Sequence, residues 1–273
     1  MTFFQALIQG IVQGLTEFLP VSSSAHLVIV PYLLNWSLDP EKAFLFNVLV
    51  QLGTLVAVFI YFWKDLVMLT SEAVAGLKER QPFTNSQRRL GWYIILATIP
   101  AGLAGLLLKS KVEDAFRSPV LTAVLLFVTA ILLTLAEVFS KKEKELEQLT
   151  WLDAIIIGIF QALAIFPGIS RSGSTVSGGL FKGYTREAAA RFSFLLSIPI
   201  MLAAGLLSIL DLARADFFFD FLPVMLLGFV IAGITGYLSI RWLLEYLRKN
   251  SLLGFAIYCA IVSIVTIIVA SFR

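Results

Sequence analysis

The hydrophobic pattern of this chain consists of long apolar stretches separated by short polar segments. Six stretches each have about the 20 residues that a helix needs to cross a bilayer. They cover residues 44–63, 90–108, 120–139, 192–210, 221–244 and 252–272. The pattern predicts an all-α integral membrane protein with about six transmembrane helices, in a single membrane domain over residues 1–273.

Two segments interrupt this pattern with polar residues and prolines. Residues 1–35 carry several glutamines, a glutamate and a serine run next to Pro20, and residues 151–190 carry Pro167-Gly168. Proline and serine disfavour a helix interior, and irregular backbone at membrane depth needs protein or a watery cavity around it. Each segment is therefore predicted to be a re-entrant helix pair. The first pair is predicted to turn at Pro20–Ala25, and the second is predicted to break at Pro167-Gly168.

The two interrupted segments are copies of one another. Residues 10–24 align without a gap to residues 158–172, with seven of fifteen pairs identical. Three predicted spans separate the copies, so the second copy enters the membrane from the opposite face. That arrangement is an inverted-topology internal repeat. The predicted repeats cover about residues 1–140 and about residues 151–273.

Composition and charge support this class and predict an orientation. Only 14% of the residues are charged, whereas soluble proteins carry about a quarter. The segment from Lys64 to Arg89 contains five Lys or Arg residues, and cytoplasmic loops carry such an excess. This places that loop in the cytoplasm and the first re-entrant pair at the outer face. The basic pI reflects these loop charges and does not indicate nucleic-acid binding.

Candidate chemistry in the first copy lies around its turn. Gln13 and Glu17 are four residues apart, so on a helix they share one face and offer oxygen ligands to a divalent cation. His26, the only histidine, follows the serine run and titrates near neutral pH, which suits acid–base catalysis. The alternatives are a Gln–Glu pair bonded to a neighbouring helix and a histidine that serves packing.

Candidate chemistry in the second copy indicates anion binding. Pro167-Gly168 ends one helix and a new helix begins among hydroxyl residues, where free N–H groups and the helix dipole attract anions. Arg171 has the planar fork that fits phosphate oxygens. The alternative is a capped helix start with Arg171 paired structurally to Glu17. The predicted phosphate site consists of Ser170, Arg171, Ser172, Gly173, Ser174 and Thr175, with Ser22 from the first copy.

Together, the segments Gln13–His26 and Pro167–Thr175 closely resemble the motifs of the undecaprenyl-diphosphate phosphatase family, also called bacitracin resistance proteins. The resemblance covers essentially the whole chain. It implies removal of one phosphate from undecaprenyl diphosphate, which yields the lipid carrier reused in bacterial cell-wall synthesis. It also implies Mg²⁺ or Ca²⁺ as a cofactor and a multi-pass location in the bacterial plasma (inner) membrane, with a site open to the outer, periplasmic face. A homodimer is left open.

These observations give a hypothesis for the role of each residue. Arg171 and the groups of Ser170–Thr175 hold the terminal phosphate. Glu17, with Gln13, binds the metal ion that offsets the diphosphate charge. His26 transfers a proton, and either Ser23 or a water molecule attacks phosphorus.

A transporter is the competing class. Inverted repeats with broken helices and polar residues at the midplane are typical of transporters, so the same scaffold is compatible with a lipid-phosphate transporter or flippase. The combination of a glutamate, a histidine, an arginine and several serines exceeds what anion binding requires. A purely structural scaffold does not explain why the two copies differ in these residues. Phosphate release by detergent-solubilised protein separates an enzyme from a transporter.

Overall fold

The computed structural model describes residues 1–212 and 218–273, which form α-helices and contain no β-strand. A short 3₁₀ helix, Leu146–Gln148, lies between the halves. The α-helices are α1 (Phe3–Phe18), α2 (Ser23–Leu33), α3 (Pro40–Tyr61), α4 (Trp63–Lys78), α5 (Ser86–Leu107), α6 (Lys109–Phe116), α7 (Pro119–Phe139), α8 (Trp151–Leu163), α9 (Arg171–Phe181), α10 (Arg186–Leu212), α11 (Phe218–Leu247) and α12 (Leu253–Ser271).

Six of these described helices, α3, α5, α7, α10, α11 and α12, are long and apolar enough to cross a membrane. They coincide with the six predicted spans, which confirms the prediction of an all-α integral membrane protein. The polar copies form the short helix pairs α1–α2 and α8–α9. That these pairs are re-entrant, and that the repeats have opposite topology, stays a prediction.

Two local features differ from the sequence predictions. The first pair turns between Phe18 and Ser23 rather than at Pro20–Ala25, because the Ser22 hydroxyl caps α2 by accepting from the Ala25 N–H. The predicted loop from Lys64 to Arg89 is largely helical, since α4 extends through Lys78.

Glycines let the broken helices pack closely against the long ones. A Cβ atom on Gly10 of α1 would lie 2.8 Å from the carbonyl oxygen of Gly228 in α11, and one on Gly158 of α8 would lie 2.4 Å from that of Ala97 in α5. Gly10 and Gly158 are equivalent in the aligned copies. Their partners are equivalent as well. The segments Ala101–Gly105 of α5 and Ala232–Gly236 of α11 are similar in sequence, and aligning them places Ala97 opposite Gly228. Equivalent helices therefore pack backbone against backbone at equivalent positions.

We expect Gly158→Ala to lower the free energy of unfolding by about 1–3 kcal/mol, because the added methyl group overlaps the Ala97 carbonyl and forces the helices apart. The matched control is Gly102→Ala on α5, where a Cβ atom meets nothing within 4 Å. Thermal unfolding in detergent, followed by circular dichroism, measures both variants. Equal midpoints for the two variants would contradict the close packing of α8 on α5.

Candidate active site

The first half-site is the turn that joins α1 to α2. α1 ends at Phe18 because Leu19 precedes a proline and adopts an extended conformation, as residues before proline do. Ser22 has a positive φ of 69°, a conformation that a non-glycine residue adopts only under constraint. The result is that Ser23, the first residue of α2, lies next to Glu17 near the end of α1.

The second half-site is the start of α9. The Ser170 hydroxyl caps the helix by accepting from the Gly173 N–H at 3.0 Å, and the Ser170 N–H donates to Thr129 of α7 at 3.0 Å. The Thr129 hydroxyl in turn donates to the Gly168 carbonyl at 2.9 Å. Gly168 has a φ of 106°, which favours glycine. Thr129 of α7 thus holds the turn on both sides, and this positions Arg171 at the start of α9.

The two half-sites meet in an ion pair. Arg171 Nη2 donates to Glu17 Oε1 at 2.6 Å, across 154 positions of sequence. The Ser172 hydroxyl donates to the Leu19 carbonyl at 2.9 Å and joins the two turns a second time. The structure therefore brings the predicted acid and the predicted guanidinium into direct contact.

Glu17 is the centre of the site. Its second oxygen, Oε2, accepts from the Ser23 hydroxyl at 2.6 Å and from Gln13 Nε2 at 2.9 Å. Gln13 Nε2 also lies 3.3 Å from Thr54 Oγ1. Glu17 is only 5% exposed, and a buried carboxylate must be paired and hydrogen-bonded to remain charged. These contacts meet that requirement.

A cavity of about 340 Å³ opens beside this network. Glu17 and Arg171 are the charged residues among its described lining residues, and the amides of Asn47, Gln51 and Gln161 add polar groups. Arg171 Nη1 and Gln161 Oε1 are buried without a hydrogen-bond partner. Because buried polar atoms are nearly always satisfied, this cavity is suited to a polar ligand. The apolar lining residues include Leu27, Phe44, Val48, Phe116, Ile200 and Met201.

Not all of the predicted phosphate-binding residues line this cavity. Ser22, Ser170 and Arg171 do, whereas Ser172, Gly173, Ser174 and Thr175 are absent from its described lining. The Thr175 hydroxyl lies 2.6 Å from the Ser193 hydroxyl, and the Ser174 hydroxyl is buried without a partner. These residues belong to the first two turns of α9.

His26 is also outside the described lining of the cavity. Its Nδ1 atom lies 2.8 Å from the Ser22 carbonyl oxygen, and its Nε2 atom lies 2.8 Å from the Tyr258 hydroxyl of α12. Both ring nitrogens are thus engaged away from Ser23 and Glu17. A proton transfer from His26 to a ligand stays a prediction, and it would require the ring to leave Tyr258.

Several residues of the site were not predicted from the sequence. Asn47 and Gln51 were detectable in principle, because they are polar residues four apart in an apolar span, where such residues usually serve function. Thr129 and Tyr258 have no comparable signal. A hydroxyl in a span is common, and only the packing of α7 and α12 reveals its partner.

A family model described as bacitracin resistance protein BacA matches residues 6–265. An undecaprenyl-diphosphatase of Chloroherpeton thalassium is 46% identical over 269 residues, which cover 94% of this chain and 93% of that protein. Proteins of the same name from Thermomicrobium roseum and Methanosphaera stadtmanae are 43% and 42% identical, and each alignment covers at least 99% of both chains. With its helix pattern and both motifs in place, this chain belongs to the bacitracin resistance protein BacA family.

Proposed function

We propose that this protein is a membrane-embedded phosphatase that hydrolyses undecaprenyl diphosphate to undecaprenyl phosphate and inorganic phosphate. The observation that carries the proposal is the hydrogen-bonded sequence Ser23–Glu17–Arg171 at the wall of the cavity. It combines a nucleophile, a proton acceptor and a phosphate-binding cation. The names of the curated relatives agree with this reaction.

Binding of the terminal phosphate is assigned to Arg171 and the start of α9. Nη2 of Arg171 is held by Glu17, while Nη1 is buried and has no partner. A guanidinium with a free N–H group is suited to a phosphate oxygen. The positive end of the α9 dipole adds to the attraction.

The chemical step is assigned to Ser23. Its oxygen attacks the terminal phosphorus, the bond from phosphorus to the bridging oxygen breaks, and undecaprenyl phosphate leaves. The Ser23 proton passes to Glu17 Oε2, which already accepts the hydroxyl at 2.6 Å. Water then hydrolyses the phosphoserine, which releases inorganic phosphate and restores Ser23. Direct attack by water is the alternative, and Ser23→Ala together with phosphate labelling of the protein distinguishes the two.

The oxygen-rich lining of the cavity fits a hard divalent cation. No group of three or more His, Cys, Asp or Glu side chains is placed to hold a metal among the described residues. Mg²⁺ commonly needs only one or two carboxylates together with substrate phosphates. Glu17 would hold the ion, with the unpartnered Gln161 Oε1 and the Gln13 amide as further oxygen donors. The bound ion would supply positive charge that offsets the diphosphate.

We expect a chelator to lower phosphate release by about two orders of magnitude, since the charge of the diphosphate would lose its largest compensation. Mg²⁺ or Ca²⁺ added in excess is expected to restore the rate. The measurement is inorganic phosphate released from undecaprenyl diphosphate by purified protein in detergent. Full activity after exhaustive chelation would contradict the metal proposal and leave the phosphatase proposal standing.

The same assay separates the proposed enzyme from a transporter. A phosphatase releases phosphate in detergent, where no membrane divides two compartments. A lipid-phosphate transporter or flippase releases none under any metal condition. Absence of phosphate release by folded protein, with Mg²⁺ and Ca²⁺ each tested, would reject the proposed function.

We further propose that the cavity opens to the outer face of the plasma membrane, which the basic segment between Lys64 and Arg89 supports. In a Cys259→Ser background, Asn47→Cys would place a single thiol in the cavity lining. We expect a membrane-impermeant thiol reagent to label this variant in intact spheroplasts. Labelling confined to inside-out vesicles would reverse the orientation. Cys259→Ser alone is the control for labelling at other sites.

A further inference from the structure

The turn between α1 and α2 is contacted by Cys259 of α12 and by His26 of α2, whose ring binds Tyr258 of α12. The Ser22 carbonyl oxygen accepts from the His26 N–H at 3.2 Å and lies 2.8 Å from His26 Nδ1. The Pro20 carbonyl oxygen accepts from the thiol of Cys259 at 3.7 Å. The carbonyl groups of Pro20 and Ser22, two positions apart in the turn, are therefore both hydrogen-bonded.

The contact with Ser22 fixes the tautomer of His26. A carbonyl oxygen can only accept a hydrogen bond, so the proton of the neutral imidazole is on Nδ1. Nε2 then carries the lone pair and accepts from the Tyr258 hydroxyl at 2.8 Å. The two rings are nearly parallel, with an interplanar angle of 7°. The Ser22 carbonyl thus determines the tautomer, and the Tyr258 hydroxyl supplies the hydrogen bond that holds the ring at its other nitrogen, Nε2.

The orientation of the Ser22 peptide matters because Ser23 follows it directly. Ser22 has φ 69° and ψ 93°, outside the regions that a serine adopts without constraint. Without the imidazole, the Ser22 carbonyl keeps only the 3.2 Å hydrogen bond from the His26 backbone N–H, so the peptide could relax, and the first residue of α2 would turn with it. The Ser23 hydroxyl would then lose its 2.6 Å contact with Glu17.

We infer that Tyr258 is a positioning residue that, through His26 and the Ser22 carbonyl, holds the Ser23 hydroxyl toward Glu17. This inference rests on the proposed function for the role of Ser23. It gives His26 a use that needs no movement of its ring. It also explains why a tyrosine hydroxyl that does not line the cavity is directed at the only histidine of the chain.

The test is Tyr258→Phe, which removes one hydroxyl and keeps the ring. Because His26 is the only histidine, protein labelled with ¹⁵N-histidine gives one pair of ring-nitrogen signals, and these report the tautomer directly. We expect wild-type protein to carry its proton on Nδ1. In Tyr258→Phe, the Nε2 signal is expected to move away from its hydrogen-bonded position, because the Nε2 lone pair loses the Tyr258 hydroxyl.

The kinetic expectation for Tyr258→Phe is a fall in kcat of about tenfold, the effect of one lost hydrogen bond. KM is expected to change by less than about twofold, because neither Tyr258 nor His26 lines the cavity. The matched control is Tyr237→Phe in α11, whose ring packs edge-on against Tyr61. It is expected to keep both the wild-type nitrogen signals and the wild-type kcat.

Each other outcome overturns the inference at a defined step. If the imidazole of wild-type His26 carries its proton on Nε2, or if Tyr258→Phe leaves the nitrogen signals unchanged, Tyr258 does not act on His26 as inferred. If the nitrogen signals change but kcat does not, His26 does not position the Ser23 hydroxyl. Wild-type protein that releases no phosphate rejects the proposed function instead, and the nitrogen signals still decide whether Tyr258 binds Nε2 of His26.

Discussion

Arg171→Ala is expected to lower kcat/KM for phosphate release by about 100- to 1000-fold, the usual cost of removing a preorganised group that binds developing negative charge. Arg171 is the one cationic residue among the described lining of the cavity, so no described neighbour can replace it. Arg171→Lys is expected to recover only part of this loss, because lysine keeps the charge but lacks the fork that binds Glu17 and phosphate together. Steady-state phosphate release measures all three proteins.

Loss of activity in Arg171→Ala has to be separated from loss of folding. Removing the arginine leaves Glu17 buried and without its cation, a change that costs about 3–5 kcal/mol when an ion pair is buried. The double variant Arg171→Ala/Glu17→Gln removes both charges and is expected to regain much of the thermal stability. Near-normal turnover by either folded variant would exclude Arg171 from phosphate binding.

Ser23→Ala is expected to reduce kcat by about four orders of magnitude or more, as removal of a covalent nucleophile does. Substrate labelled with ³²P in the terminal phosphate is expected to leave label on wild-type protein quenched in acid, and none on the variant. Mass spectrometry of the labelled peptide identifies Ser23 directly.

Ser24→Ala is the matched control for Ser23→Ala. Ser24 also lines the cavity, but its hydroxyl lies 3.2 Å from that of Ser22 and not next to Glu17. A change of no more than about threefold is expected, since an isolated neutral hydrogen bond contributes little. If Ser23→Ala instead keeps a tenth or more of the activity and wild-type protein is never labelled, water is the nucleophile.

Much of this architecture could be predicted from the sequence because membranes constrain helices strongly. Apolar stretches of fixed length indicated the six long helices, and polar residues at helix breaks indicated the two short pairs. The repeat also gave the reason to expect Glu17 near Arg171, which the structure places 2.6 Å apart. Their pairing was predictable because each alone would be an unpaired charge in an apolar chain.

The remaining features depend on which helix faces meet, and the sequence does not contain that information in local form. A serine run marks a helix start but not its exact residue, so the predicted turn begins one position too late and ends three positions too late. Four hydroxyl residues at the start of α9, Ser170, Ser172, Ser174 and Thr175, were assigned to phosphate. Of these, only Ser170 is in the described lining of the cavity, and the Thr175 hydroxyl contacts Ser193 of α10 instead. Tyr258 is 232 positions from His26, and only the packing of α12 against the turn joins them.

The contact between Glu17 and Arg171 has a consequence for how molecules are selected before any chemistry occurs. The two opposite charges offset one another, so the pair adds no net charge with which to attract small free anions over a long range. On the proposed function, we expect the hydrocarbon chain of the lipid to dock first, and its headgroup to compete with the carboxylate for the guanidinium only afterwards. Solubility in the bilayer is then expected to matter more than long-range attraction in the choice of diphosphate.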